Sequence, residues 1–471
     1  MTAARINLSL IVRQIAVFAL VLCIWFAPTP AGLTSPAWHL FAIFAGAIVS
    51  VLLGAFPLLT ASVLAVAAVV LTGVLDMGKA FAGFANPSVL LVVVAFLVAQ
   101  AVVKSGLGRR ISLLIVSAFG GSPLGLAYSV VLTDAVIAPA FPSNTARGGV
   151  LFPVVLSLAQ SAGSRPDDAE GRRLGGYLMF CGMASLAISS ALWLTATSVN
   201  PIGAQIAAQF GVDIGFGRWL IAASVPTIVS MVLLPIVVRF LFSPGVSETP
   251  DAPRAARAEL AAMGSMTREE LITAAAFAVM VTGWILAGSL GLSVTAVAFG
   301  GLGVLLATSV LTLDDISKQG DTLATFVWLA VLFALSGQLN ELGFMGYAGE
   351  RLASGLEGLP WMVVYVALLV LYVLLHYLFV SQSSQVLALL AVFLTVGIHE
   401  GVPAPLMCFA LLFASSYFSV ITPQGGSQNI IFAASGYLTQ SELYRMGLLT
   451  TIFFLTVFLL LGTPWLLFIA R

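Results

Sequence analysis

The sequence predicts an all-α integral membrane protein that crosses the bilayer many times. Of its 471 residues, 60% are hydrophobic and only 8% are charged, whereas soluble proteins carry about 25% charged residues. Apolar stretches of about 20 residues, the length that crosses a hydrocarbon core, recur from residue 8 to the C-terminus. These stretches leave no room for a soluble domain of useful size, so the usual classes of soluble enzyme are excluded.

We expect about 11 transmembrane helices. The first apolar stretch is too long for the core of a signal peptide, and no small-residue cleavage site follows it, so it is interpreted as a retained span. The predicted spans lie near residues 8–28, 36–55, 57–75, 88–104, 175–210, 217–243, 268–290, 292–312, 321–343, 404–434 and 443–469.

The placement of positive charge favours a cytoplasmic N-terminus. With the N-terminus inside, most of the 19 Lys and Arg residues fall on the cytoplasmic side, as the positive-inside rule requires. We therefore expect a multi-pass protein of a bacterial-type inner, cytoplasmic membrane. In this predicted topology, Arg147 is the one cation that lies within the membrane. The cations on the outer side are Lys79, Arg218, Arg351 and Arg471.

Two further apolar stretches, residues 123–160 and 361–398, are too long for one span. Each breaks midway at small polar residues, at Ser-Asn-Thr in the first stretch and at Ser-Gln-Ser-Ser in the second. A stretch of this kind is expected to form a re-entrant helical hairpin, which enters and leaves the membrane on the same side.

The two halves of the chain are interpreted as copies of each other. The segment VVVAFLVAQAVVKSGLGRR aligns with WLAVLFALSGQLNELGFMG, and PSNTARGGVLFPVV aligns with VSQSSQVLALLAVF. Residues 36–243 form the first repeat and 268–471 the second, with a cytoplasmic linker at 244–267 and an N-terminal span at 1–35 outside the repeats. An odd number of crossings separates the copies, so they are expected to be inverted, as in secondary transporters.

Four polar breaks at membrane depth mark the expected binding site. Irregular backbone there must line a cavity or be buried in protein, and helix N-termini capped by Ser, Asn or Thr attract anions. Two facing hairpin tips would suit a dicarboxylate better than a monocarboxylate, and carbonyls freed beside the prolines could coordinate a cation. The candidate binding residues are Ser143, Asn144, Thr145, Ser381, Gln382, Ser383, Asn200, Pro201, Thr422 and Pro423.

These motifs resemble the divalent anion/sodium symporter family. The strings VIAPAFPSNTARGG and KSGLGRRI, together with HYLFVS before the second tip, are similar to its exchanger branch. That branch includes plastid 2-oxoglutarate/malate translocators and bacterial citrate/succinate and tartrate/succinate antiporters. The resemblance covers most of the chain from about residue 35 onward.

The resemblance implies a homodimer in which each protomer has a fixed scaffold and a transport domain that moves like an elevator. It implies that the two tips bind the substrate carboxylates and that Asn200 and Pro201 belong to the first broken helix. In sodium-driven members the tips and broken helices also hold sodium, which here makes the neighbourhood of Ser381, Ser383 and Thr422 a candidate sodium site.

The resemblance also gives Arg147 a function. In the exchanger branch, basic side chains four residues after each tip serine stand where sodium would bind, so the empty carrier does not return without an anion. Here the second position is Gln385, a neutral amide, so either one fixed cation suffices or a sodium ion or proton takes the second place. Alternatively, Arg147 only neutralises Asp134 in the other arm of its hairpin.

Exchange of C4 or C5 dicarboxylates, with citrate as a larger candidate, is therefore the leading hypothesis. Sodium-coupled symport is the alternative, while a channel and an intramembrane enzyme are more remote. His376 lies near a span end and close to the second tip, where either a solvated or hydrogen-bonded imidazole or a proton-coupling function is open. Small anions and lipid are the expected partners. We expect no nucleic-acid partner, no catalytic residue and no cofactor other than sodium.

Overall fold

The computed structural model describes residues 8–168, 171–379 and 381–470, and every regular element in these ranges is a helix. Nine of these helical segments are long and apolar enough to cross a membrane, and four shorter apolar helices accompany them. The first seven residues, which include the N-terminus that was predicted to be cytoplasmic, lie outside the described ranges.

The first half of the chain, up to the linker, contains eleven of the helices. Their bounds are α1 (Leu8–Phe26), α2 (Ser35–Leu52), α3 (Leu58–Leu71), α4 (Met77–Phe81), α5 (Pro87–Ser105), α6 (Leu107–Phe119), α7 (Pro123–Ile137), α8 (Asn144–Ser161), α9 (Arg172–Ser189), α10 (Val199–Ala208) and α11 (Phe216–Leu241).

The linker and the second half contain the other twelve described helices. Their bounds are α12 (Asp251–Met263), α13 (Arg268–Leu290), α14 (Val294–Ala307), α15 (Leu313–Ser317), α16 (Gly320–Glu341), α17 (Phe344–Ala353), α18 (Trp361–His376), α19 (Gln382–His399), α20 (Ala404–Tyr417), α21 (Ser427–Ala433), α22 (Gln440–Val457) and α23 (Thr463–Ile469).

Both predicted hairpins are present as helix pairs. Helices α7 and α8 form the first pair and pack on each other, and α18 and α19 form the second. Their tips lie at Phe141–Ser143 and at residues 377–381, the latter including Val380, which is outside the described residues. The polar tip residues begin the second helix of each pair, as expected for helix-capping side chains.

Both predicted broken helices are also present. The apolar segment from α9 to α10 loses regular structure between Ser190 and Ser198, and the segment from α20 to α21 does so between Phe418 and Gly426, apart from one short 3-10 turn. The same order of elements thus occurs in both halves: long helix, short helix, hairpin, broken helix and long helix. The inverted orientation of the halves stays a prediction.

Three helices longer than five residues were not predicted from the sequence, nor were the five-residue helices α4 and α15. Helices α6 and α17 each follow a glycine in the left-handed region, Gly106 (φ 78°) and Gly343 (φ 83°), where residues with a β-carbon are strained. The third, α12, lies inside the linker that was expected to be an irregular polar segment. It packs along α6, and the guanidinium group of Arg109 on α6 contacts the Glu259 carboxylate at 2.8 Å.

Candidate anion-binding site

A cavity of about 240 Å³ lies where both hairpin tips and both broken helices meet. Four helices, α8, α10, α19 and α21, have their N-terminal residues in its lining. The unpaired N–H groups and the positive dipole end of a helix N-terminus favour anions. The cavity is therefore electrostatically suited to a negatively charged molecule.

Each hairpin tip contacts the broken helix of the other half as well as that of its own half. Helix α8 of the first hairpin packs on α21, and α19 of the second hairpin packs on α10. The Thr145 hydroxyl donates a hydrogen bond to the Ser427 hydroxyl at 2.6 Å, and the hydroxyl oxygens of Ser198 and Ser383 are 3.4 Å apart. Each tip therefore faces the broken helix of the other half.

Asn144 presents a hydrogen-bond donor at the first tip. Its Oδ1 accepts hydrogen bonds from the Arg147 guanidinium and the Ser190 hydroxyl, both at 2.6 Å. These bonds orient the amide, and its Nδ2 has no partner among the described residues. Ser143 caps α8 by accepting a hydrogen bond from the Ala146 N–H at 3.3 Å. The first tip thus presents an amide donor at the start of a helix.

Gln382 presents the corresponding donor at the second tip. It stands one residue after the tip serine Ser381, as Asn144 stands one residue after Ser143. Its Nε2 is buried and likewise has no hydrogen-bond partner in the described part of the chain. Ser381 makes no capping hydrogen bond, so its hydroxyl is not committed to α19. Both tips therefore carry a buried, unpaired amide donor on a residue that lines the same cavity.

Arg147 lies behind the first tip and not in the cavity lining. It is fully buried, and its Nη1 is 3.2 Å from Oδ1 of Asp134, which is also fully buried. Its Nη atoms also donate to the Ser189 and Ser190 hydroxyls and to the Leu186 carbonyl. The ion pair that the sequence left as an alternative is thus present, and it neutralises the arginine.

Asparagines close both helix breaks in the same way. The Asn200 Nδ2 donates to the carbonyls of Ser190 and Trp193 at 2.7 and 3.1 Å. The Asn429 Nδ2 donates to the carbonyls of Ser419 and Thr422, residues at the same sequence distances, at 2.6 and 2.9 Å. Asn429 is therefore the counterpart of Asn200 in the second half.

The cavity lining contains six of the ten predicted binding residues, which are the three residues of each tip. The other four, Asn200, Pro201, Thr422 and Pro423, lie behind the lining in the broken helices, as Asp134 and Gln385 lie behind the tips. Sequence reasoning did not assign the five lining residues of the broken helices, Thr197, Ser198, Val199, Gly426 and Ser427, nor Pro142 and the five residues of the remaining wall. An alignment of TSVN with GSQN, in which Ser198 and Ser427 correspond, would have found the two serines.

The remaining wall of the cavity is mostly apolar and comes from different helices. It is formed by side chains of α3, α5 and α16, which pack on one another. These wall residues are Leu58, Phe96, Thr325, Trp328 and Leu329. The polar groups of the lining therefore belong to the tips and broken helices, apart from the Thr325 hydroxyl and the Trp328 indole N–H, which has no partner among the described residues.

Similar proteins identify the family. The chain is 36% identical to a chloroplastic dicarboxylate transporter 1 of Spinacia oleracea, over 94% of this chain and 78% of the relative. It is 30% identical to an L-tartrate/succinate antiporter of Shigella sonnei, over 96% and 97%. The solved structure of the YdaH transporter of Alcanivorax borkumensis has the same fold, with a TM-score of 0.56 at 18% identity over 92% and 97% of the two chains. The family described as sodium:sulfate symporter transmembrane region matches residues 8–470, and the chain therefore belongs to this family of membrane transporters, as its tip motifs indicated.

Proposed function

We propose that the protein exchanges C4 or C5 dicarboxylates across the membrane, with citrate as a larger candidate substrate. The observation that carries the proposal is the pair of unpaired amide donors, Asn144 Nδ2 and Gln382 Nε2, at two helix N-termini of one cavity. Hydrogen bonds to charged groups are among the stronger ones in proteins. Two such sites, one at each tip, suit a molecule with a carboxylate at each end.

The size of the cavity supports a small substrate. Drug-sized ligands fill pockets of about 300–1,000 Å³, and this cavity is smaller, at about 240 Å³. The printed names of the spinach and Shigella relatives describe a dicarboxylate transporter and a tartrate/succinate antiporter. These names support both the substrate class and exchange.

The two kinds of cavity wall support an elevator mechanism. We assign α7–α11 and α18–α23 to a transport domain that carries the polar tips, and α1–α5 and α13–α16 to a scaffold. Because the scaffold contributes mostly apolar side chains to the cavity, it makes few polar contacts that would have to break during sliding. Along the chain, helices α6 and α17 connect the proposed scaffold to the proposed transport domain.

We further propose a homodimer in a bacterial inner membrane with its N-terminus in the cytoplasm. The distribution of Lys and Arg supports this orientation. A relative of 32% identity in Escherichia coli is named an inner membrane protein. A dimer would hold the scaffolds still while each transport domain moves.

Sodium-coupled symport is the second candidate, and a specific observation favours it. The side-chain oxygens Asn200 Oδ1 and Asn429 Oδ1 are buried and have no partner in the described structure. Thr422 Oγ1, at the second break, is also buried and has no hydrogen-bond partner in the described structure. Hard cations prefer such neutral and anionic oxygen ligands, so sodium could occupy each break.

Counterflow in proteoliposomes tests the proposal. Labelled succinate outside should accumulate in vesicles loaded with unlabelled succinate and not in empty vesicles, with or without sodium. Asn144→Ala and Gln382→Ala should each weaken apparent affinity by about tenfold or more, since a hydrogen bond to a charged group contributes about 1.5–3 kcal/mol. Gln160→Ala, at the exposed end of α8, is the matched control. Sodium-driven uptake into empty vesicles would contradict exchange and support sodium-coupled symport.

A further inference from the structure

His376, the last residue of α18, lies between two oxygen atoms. Its Nδ1 is 2.6 Å from Gln385 Oε1, and its Nε2 is 2.6 Å from the carbonyl oxygen of Gly425. The side chain is buried, with 2% of its surface exposed. The sequence left open a solvated or a hydrogen-bonded imidazole near a span end, and the structure shows a hydrogen-bonded one that is enclosed behind the second tip.

Both partners of the ring are acceptors. The Gln385 Nε2 donates to the Tyr372 carbonyl at 2.9 Å, and a flipped amide would bring two oxygens together there. The amide orientation is therefore fixed with Oε1 toward the histidine. A carbonyl oxygen cannot donate, and a neutral imidazole has only one N–H. Both contacts are hydrogen bonds only if His376 is protonated on both nitrogens.

The packing around Gly425 holds its carbonyl in place. A β-carbon on this residue would lie 2.6 Å from the Ser419 carbonyl oxygen and 2.9 Å from the Tyr377 ring. Only glycine fits this close approach. The acceptor that faces Nε2 therefore belongs to a closely packed turn.

No acidic group in the described structure offsets this charge. Helix α18 itself contributes Tyr365 and Tyr372, and the next residue, Tyr377, packs its ring against the imidazole. The only titratable residue of α19 is His399 at its far end, and those of α20 are Cys408 and Tyr417. The Pro423–Gly425 turn has none. By contrast, Arg147 at the first tip is neutralised by Asp134.

We propose that His376 is a proton-binding site that gives the second tip its positive charge, taking the place left by the neutral Gln385. The function of this charge rests on the proposed exchange of dicarboxylates. A proton from water binds the free ring nitrogen, and no bond within the chain breaks. The resulting imidazolium compensates the bound anion and remains buried in the empty carrier, which favours return with a second anion.

A direct test reads the protonation of His376 without any transport. The chain has three histidines, so His39→Gln and His399→Gln leave a single imidazole in the full-length protein. Nitrogen-15 NMR in lipid bilayers should show both ring nitrogens protonated at about pH 7, where an exposed imidazole is mostly neutral. One protonated and one bare nitrogen at that pH would overturn the proposal, whether or not the protein exchanges succinate.

A residue swap tests the function of the charge. His376→Gln should reduce succinate exchange by at least about tenfold, because a buried charge behind the second tip is lost. The double variant His376→Gln with Gln385→His returns an imidazole to the opposite arm of the same hairpin and should recover most of the exchange. His399→Gln, which is exposed, is the control. A swap variant with wild-type thermal stability and no recovery would contradict the proposal.

The pH profile gives a second measurement if the swap does not fold. Wild-type exchange should fall with rising pH above neutrality, since the ratio of protonated to neutral imidazole falls tenfold per pH unit. The residual exchange of His376→Gln should not change over the same range. A wild-type profile as flat as that of the variant would overturn the proposal, while absent exchange in the wild type would instead refute the proposed function.

Discussion

At the scale of single residues, the most informative side chain is Arg147. A charge in the middle of a membrane is costly unless it is paired, and the structure pairs Arg147 with Asp134 and four further acceptors. One of these acceptors is the Asn144 side-chain oxygen. The arginine therefore acts on the first tip by orienting the side-chain amide of a residue that lines the cavity, and its own charge is already balanced.

The first residue-scale prediction is a double-mutant cycle on this ion pair. Asp134→Asn and Arg147→Gln should each destabilise the protein strongly, because removing one partner of a buried pair costs about 3–5 kcal/mol. The double variant should be less destabilised than the sum of the single changes. Thermal unfolding in detergent measures all three.

The control for this cycle is the exposed pair of Asp314 and Lys318. Asp314→Asn should change stability by about 1 kcal/mol or less, since exposed ion pairs contribute little. Strict additivity at Asp134 and Arg147 would mean that the two side chains do not interact energetically.

At the scale of elements, the two helix breaks depend on one asparagine each. Each side-chain amide donates to two carbonyls that have left the helical pattern, ten and seven residues earlier. Buried carbonyls without partners destabilise a protein, so these amides replace the missing helical hydrogen bonds. The same arrangement in both halves indicates that the breaks are built features of the fold.

The element-scale prediction is that Asn200→Ala and Asn429→Ala have similar effects. Each change leaves two buried carbonyl oxygens without these donors, at about 1–3 kcal/mol for each unsatisfied group. We expect a lower unfolding temperature and loss of exchange in both variants. Ser289→Ala, which removes an exposed hydrogen bond to the Leu286 carbonyl within α13, should leave both unchanged. An effect at only one of the two positions would argue against equivalent breaks.

At the scale of the whole molecule, the two halves complete each other. Each tip packs against the broken helix of the opposite half, so neither half contains a full binding site. The cavity also needs a wall from α3, α5 and α16. In the proposed elevator mechanism, the tips and broken helices carry the substrate across the membrane while the wall formed by α3, α5 and α16 does not move.

The molecular-scale prediction compares two cross-links in a background without Cys23, Cys181 and Cys408. A bifunctional thiol reagent across Gln209→Cys and Asn340→Cys, whose native side chains hydrogen-bond at 3.0 Å outside the cavity, joins the proposed transport domain to the proposed scaffold, and it should stop exchange in both directions. A link across Arg172→Cys and Glu442→Cys, whose native side chains are 2.9 Å apart, lies within the proposed transport domain and should leave exchange intact. Exchange that persists with the first link would contradict the elevator mechanism.

The sequence by itself determined the all-helical membrane fold, the two hairpins, the two breaks and the family. Hydrophobic length and small polar residues at mid-membrane are local signals, and each marks a feature without knowledge of its neighbours. The six tip residues follow from the same signals. Helices α6, α12 and α17 escaped because they are not apolar spans, so the length of hydrophobic stretches does not reveal them.

Only the tertiary structure decided which groups meet. It paired Arg147 with Asp134, set the two tip amides without partners in one cavity and placed His376 between two carbonyl oxygens. It also brought Ser198 and Ser427 into the lining and kept Asn200 and Pro201 behind it. The physical reason is that hydrogen bonding and charge compensation depend on distances between helices far apart in sequence, and a linear pattern does not contain those distances.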